Sequence, residues 1–411
     1  MVPKGWEQKK LEELCSLDAP ITYGVLKPGE YFCGGIPLLQ IKDLCDGSVL
    51  SNGLHLIPPE LDYEYRRSRI IKNDILISLV GTIGRVAKYQ SSSEANIHRN
   101  IGRIRSNQHE YLFHYLRSDD VQRGITDSAS GSSQSALNLS TLRSMLILVP
   151  PVIEQKKIAQ ILSTWDKAIS VTEKLLTNSQ QQKKALMQQL LTGKKRLLDE
   201  NGTRFSETWK LYALSKLFQR VTTKNNGKSN NVVTISGQHG LIKQEDFFKK
   251  TVASDTLDGY FLLKKGQFAY NKSYSNGYPM GAIKRLNRYP EGVVTTLYIC
   301  FELTTPQKSC GDYWEHYFES GLLNNSLSQI AHEGGRAHGL LNVKPSDFFS
   351  LKVAVPGFEE QQKIASVLSA ADTEISTLEK KLACLKDEKK ALMQQLLTGK
   401  RRVKVDEAVA V

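Results

Sequence analysis

Lys183–Lys194 reads KKALMQQLLTGK, and Lys389–Lys400 reads KKALMQQLLTGK again, without a change. The offset of 206 also aligns Val149–Pro150 with Val355–Pro356, Glu154–Gln155 with Glu360–Gln361, and Lys157–Ile158–Ala159 with Lys363–Ile364–Ala365. A repeat of this length is the first thing to settle, because it dictates the architecture. Apolar residues recur in alternating steps of four and three in both copies. The seam runs through Ile158, Leu162, Trp165 and Ile169 to Leu186 and Leu190 in the first, and through Ile364, Leu368, Ala371 and Ile375 to Leu392 and Leu396 in the second. That spacing keeps one stripe against a partner helix, as in a coiled coil. The first seam turns polar at Thr172, Ser179 and Lys183. Proline opens each copy (Pro150–Pro151, Pro356), and Gly193 and Gly399 close them, followed by cations, the expected stop signal. Helices of about 40 residues span about 60 Å.

A globular region precedes each helix. The ends of a domain commonly lie close together, so the second helix is expected to run back along the first as an antiparallel pair with a pseudo-two-fold axis. The expected class is α+β: two mixed α/β lobes separated by two long helices. The divisions are a first lobe at 1–149, a spacer helix at 150–197, a second lobe at 198–355, a second helix at 356–402 and a tail at 403–411.

The lobes open alike: Trp6 is followed by Leu11 and Leu14, and Trp209 by Leu214 and Leu217. Each tryptophan is read as a core anchor at the start of its lobe. In the first lobe Ile36–Ile41, Ile70–Val80, Ile101–Ile104 and Met145–Val149 read as strands and Tyr111–Arg117 as a helix. Gly81-Thr82-Ile83-Gly84 reads as a turn whose glycines would let backbone approach a phosphate, with a plain tight turn as the alternative. In the second lobe Lys264–Asn271 takes the place of Lys72–Ser78, and Glu333–Val343 that of Gly131–Leu139.

Net charge is +13 and the pI about 9.3, which points to a polyanionic partner. Six scattered cysteines without a CxxC pair suit a reducing, cytoplasmic setting. No apolar run approaches the ~20 residues that a membrane helix needs, and Met1–Lys10 has no signal-peptide core. The sequence carries neither GxxxxGK(S/T) nor a strand–GxGxxG–helix, no Asn/Asp-Pro-Pro-aromatic tetrapeptide, no GxSxG and no HExxH. Two lobes on helices without a catalytic constellation argue for a recognition or scaffold protein.

Nucleic-acid contacts are expected where loops mix amide, hydroxyl, aromatic and cationic groups. In the first lobe these are Thr82, Arg85, His98, Arg99, Asn100, Ser133 and Gln134; in the second, Lys272, Tyr274, Asn276, Arg336 and His338. A glutamine such as Gln134 can read adenine, and an arginine such as Arg336 can donate twice to guanine. For each, an exposed turn or a phosphate contact is the plainer alternative.

The alternation of unlike lobes with near-identical helices, the Trp-x4-Leu-x2-Leu opening, Asn73-Asp-Ile-Leu-Ile-Ser with Gly81-Thr-Ile-Gly84, Gly131-Ser-Ser-Gln-Ser-Ala-Leu-Asn138 and Pro150-Pro-x2-Glu-Gln-Lys-Lys-Ile158 together resemble the DNA-specificity subunit of type I restriction–modification systems. The resemblance covers essentially the whole chain. The second lobe departs from it, with Gln267-Phe-Ala-Tyr and Gly335-Arg-Ala-His in place of the first-lobe motifs. The resemblance implies that the lobes are target-recognition domains, each reading half of a split double-stranded DNA site. It implies that the helices dock two modification subunits, with Gln188, Gln189, Leu191, Gln394, Gln395 and Leu397 as the docking candidates. Restriction subunits join the assembly. S-adenosylmethionine, ATP and Mg belong to those partners, and this chain holds no cofactor or metal and is not an enzyme. Unlike lobes imply an asymmetric site, with half-sites about one helical turn (~34 Å) apart. A coiled-coil scaffold for protein partners is the alternative reading.

Overall fold

The computed structural model describes residues 2–45, 47–129, 136–248, 256–333 and 341–405. The chain divides into two compact units that cut across the sequence segments: Met1–Glu173 with Lys380–Val411, and Lys174–Glu379. The repeat helices, Val152–Leu190 and Phe358–Leu396, are therefore each shared between units.

In the first unit Glu7–Lys10 pairs antiparallel with Leu146–Val149, bringing the start and end of the lobe together. A four-stranded antiparallel sheet follows in the order Thr22–Tyr23, Ile101–Ile104, Ile75–Ser78, Val86–Lys88. A smaller sheet joins His55–Ile57, Ile36–Leu39 and Asn96–Ile97, the last pair parallel. The strand expected over Ile70–Val80 is confined to Ile75–Ser78, because Asn73 sits at φ 77, in the left-handed region that ends an extended run. The helix expected at Tyr111–Arg117 spans His109–Leu116.

The second unit repeats this plan with other side chains. Lys210–Ala213 pairs with Lys352–Val355. The four-stranded sheet has the order Phe218–Arg220, Ile299–Leu303, Phe268–Asn271, Ala282–Arg285. In the two sheets Ile75–Ser78 and Phe268–Asn271 occupy the same position between corresponding neighbours, so the placement of Lys264–Asn271 on Lys72–Ser78 holds.

Within each unit the helices run antiparallel. In the first, Glu154 meets Arg402, Asp166 meets Lys389 and Glu173 meets Lys386. In the second, Glu360 meets Arg196, Asp372 meets Lys183 and Glu374 accepts from Ser179. Partners descend along one helix as they ascend along the other.

The repeated dodecapeptide is core in both places. Met393, Leu396 and Leu397 pack with Trp6, Ile158 and Leu162; Met187, Leu190 and Leu191 pack with Phe218, Ile364 and Leu368. Each buried leucine stabilises its unit by about 1.5–3 kcal/mol over exposure to water. The polar interruption in the first seam is satisfied: Thr172 Oγ1 donates to Ala168 O at 2.8 Å, and Ser179 Oγ to Glu374 Oε1 at 3.0 Å. Gly193 and Gly399, at φ 68 and 69, end the helices, with Lys195 N and Arg401 N closing back on Gln189 O and Gln395 O at 3.1 Å. A side chain at Gly399 would also strike Pro3.

Candidate nucleic-acid interface

Three segments meet at one edge of the first lobe. The turn after the Ile75–Ser78 strand is folded by its own backbone: Gly81 and Gly84 both stand at φ 78, Ser78 Oγ donates to Thr82 O, and Arg85 N donates to Ser78 Oγ at 2.8 Å. Leu79 N donates to Asn100 O at 2.8 Å, and Leu137 N to Leu79 O at 2.7 Å. Val80 and Ala136 form an antiparallel bridge. Thr82 and Arg99 are exposed, and His98 and Asn100 half-buried. Burial first, and Arg99 second, lower the His98 pKa, so that imidazole acts near neutral pH as a hydrogen-bonding group rather than a cation. Its Nδ1 accepts from Asn100 N at 3.4 Å.

Arg85 is half-buried beside this turn. One nitrogen of its guanidinium donates to Leu44 O at 2.9 Å, which braces the lobe.

The second lobe builds the same edge from other residues. The turn after Phe268–Asn271 carries Lys272, Tyr274 and Asn276, and Leu341 N donates to Lys272 O at 2.8 Å, the counterpart of Leu137 on Leu79. Tyr274 is 63% exposed and Asn276 is exposed. Burial, then Arg220, lowers the Lys272 pKa; its Nζ lies 3.4 Å from Val343 O. Gly281 at φ 79 is obligatory, because a Cβ would sit 2.2 Å from Asn271 O. Ser133, Gln134, Arg336 and His338 lie outside the described residues, although the flanks Ala136–Leu137 and Leu341–Asn342 join these turns.

What holds the second turn was not legible in the chain. Tyr278 donates its hydroxyl to the Glu319 carboxylate, with Gly237 O 2.9 Å away, and accepts from Lys284 Nζ at 2.9 Å. Burial, then Glu319, keeps the phenol well above its ordinary pKa and so protonated. The partners are 41 residues apart in sequence, and no local pattern joins them.

Of the docking candidates, Gln188, Gln189, Gln394 and Gln395 are exposed. Leu191 and Leu397 are each 2% exposed and fill the cores of their own units. That corrects their assignment to a free surface.

Elsewhere in the first unit a cleft of about 820 Å³ is lined by Lys88, Arg117, Lys389 and Lys390. Its cations are matched: Lys88 with Glu110 at 2.8 Å, Lys390 with Asp119 at 3.0 Å and Lys389 with Asp166. A polyanion gains less there than at the exposed Arg99, for which no ion pair occurs among the described residues. Beside the cleft His114 Nε2 contacts Ser163 Oγ at 3.0 Å, and the second unit repeats this with His316 and Ser369 at 3.0 Å. These are not nucleophile–base pairs of a hydrolase. Asp166 and Asp372 stand 3.6 and 3.7 Å from the Nδ1 atoms, beyond hydrogen-bond range. Each serine also sits inside a continuous helix, whose N–H groups are committed to helix carbonyls and cannot form an oxyanion hole.

Residues 3–178 match the family of the type I restriction modification DNA specificity domain. This chain is matched over its first lobe and the start of the Val152–Leu190 helix. It is 32% identical to the type I restriction enzyme EcoBI specificity subunit of Escherichia coli, over 39% of this chain and only 35% of that one. The MjaX specificity subunit of Methanocaldococcus jannaschii is 25% identical over 98% of this chain and 95% of its own length. Among solved structures, the S subunit of a type I restriction–modification system from M. genitalium superposes with a TM-score of 0.57 at 14% identity, covering 96% of each chain. That likeness shows a shared fold over both lobes. Among the described residues, no helix is long and apolar enough to cross a membrane.

Proposed function

We propose that this chain is a DNA-specificity subunit of the type I restriction–modification family, that it reads an asymmetric, two-part DNA site, one part with each lobe, and that it directs adenine methylation and DNA cleavage by partner subunits. The observation that carries this is the repeated edge. In both lobes the residue that follows the strand accepts a backbone hydrogen bond from a returning segment (Leu137 N to Leu79 O, Leu341 N to Lys272 O), yet different groups are presented there: Thr82, Arg99 and Asn100 in one, Lys272, Tyr274 and Asn276 in the other. Conserved scaffolding under unlike side chains suits two readers of unlike sequences. The exposed glutamines of the repeat helices (Gln188, Gln189, Gln394, Gln395) are offered as docking positions for two modification subunits, with restriction subunits completing a cytoplasmic complex. In this reading the chain itself is not catalytic, and S-adenosylmethionine, ATP and Mg are held by the partners.

Methylome sequencing of cells that express this chain with its modification subunits tests the reading. The expected result is methylated adenines in two unlike half-sites around an unspecified gap. Binding to DNA without sequence preference, and no methylated motif, would replace it with the scaffold reading.

A further inference from the structure

We propose that Gln122 in the first lobe and Tyr278 in the second are positioning residues for specificity, each tying its reading turn to the end of the helix that packs against the repeat helices. This rests on the assignment of those turns to DNA reading.

In the first lobe the Gln122 amide donates to Gly84 O at 2.9 Å and to Leu116 O at 2.7 Å. Gly84 closes the turn carrying Thr82, and Leu116 ends the His109–Leu116 helix. The fit is close, since a Cβ on Gly84 would lie 2.8 Å from Gln122 Oε1. That helix also carries His114, which meets Ser163 of the repeat helix.

In the second lobe Tyr278 closes the turn carrying Tyr274 and Asn276, with Ser275 and Tyr278 bridged. Its hydroxyl meets Glu319, the last residue of the Gly311–Glu319 helix, which carries His316 against Ser369. Glu319 corresponds to Arg117, one residue past Leu116, on the spacing set by His114 and His316.

The two lobes therefore make one mechanical connection with unrelated chemistry: a carboxamide bridging two carbonyls, and a phenol on a carboxylate. Packing alone would not require the link to arise twice at the same place. A turn fixed at one end by its strand and at the other by this link is held in a single pose. Base discrimination needs such a pose, because a displaced donor loses both of its paired bonds.

Three variants are tested in the assembled complex, with discrimination at each half-site read from methylation rates on a panel of single-base site variants. Gln122→Met keeps the length and removes the donors. It is expected to relax one half-site by roughly tenfold, with the other half-site, the gap and the melting temperature little changed. Gln122→Lys, which returns N–H donors, restores the discrimination. Tyr278→Phe keeps the ring and relaxes the other half-site only. Unchanged discrimination in both single variants, or equal loss at both half-sites, overturns the inference. Arg99→Ala, read by overall DNA affinity, and Tyr274→Ala, read by discrimination, run alongside: if they alter DNA binding or recognition while Gln122→Met and Tyr278→Phe do not, only the positioning role fails. If none of the four alters either, the assignment of the turns to DNA falls as well.

Discussion

His114 Nε2 lies 3.0 Å from Ser163 Oγ, joining the first lobe to the repeat helix beneath it. The ring is 0% exposed. Burial is the largest influence on it, opposed by Asp166 and reinforced by Lys389, Arg117 and Lys88, and its pKa falls to about 4.

This position predicts acid sensitivity. An unfolded chain protonates His114 below about pH 6.5, while the folded chain keeps it neutral down to about pH 4. Stability is unaffected above about 6.5 and falls as pH drops through that window, by up to about 3 kcal/mol. His316, lowered in the same direction chiefly by burial, adds to the loss. Urea unfolding from pH 7.5 to 4 should show a shallower decline for His114→Asn than for the parent; identical slopes would remove His114 from the cause.

The exchange of helix ends between units gives a second expectation. Leu396 is buried in the first unit and Leu190 in the second. Truncating either to alanine should cost about 2–5 kcal/mol. Hydrogen exchange should locate the damage across the sequence: Leu396→Ala loosens amides near Trp6 and Ile158, and Leu190→Ala those near Phe218 and Ile364. Each variant loosening only its own helix would contradict this packing.

The two arginine clamps should not be equal. Arg196 donates to Glu360 at 2.6 and 2.7 Å, and that carboxylate is 2% exposed. Arg402 clamps Glu154 similarly but is itself 41% exposed. Both substitutions leave a buried carboxylate; Arg196→Ala, which strips the deeper one of the better-covered guanidinium, should cost about 3 kcal/mol, and Arg402→Ala somewhat less. Adding Glu360→Gln to Arg196→Ala should recover part of the loss in thermal unfolding.

Arg99 is exposed at the candidate interface edge of the first lobe. As a phosphate contact its replacement by alanine should weaken binding to all sequences and lower the slope of log affinity against log salt by about 0.9. Fluorescence titration at several salt concentrations measures this. An unchanged slope with loss at one base position would make Arg99 a base reader instead.

Periodicity and repetition carried a large part of this protein in plain view. Within each copy the 4–3 seam, the repeated dodecapeptide and the glycine stop are contiguous in the chain, and backbone geometry turns such local spacing directly into helices. The correspondence of Lys264–Asn271 with Lys72–Ser78 was legible for the same reason. What Leu191, Leu397 and Arg85 do was decided only by folding, because burial depends on which distant segment covers a side chain. The joining of Gln122 to Gly84 and of Tyr278 to Glu319 was likewise invisible in the chain. Such bonds span 38 and 41 residues, and a hydrogen bond leaves no periodic trace in sequence; it exists only once the core has brought its two ends within 3 Å.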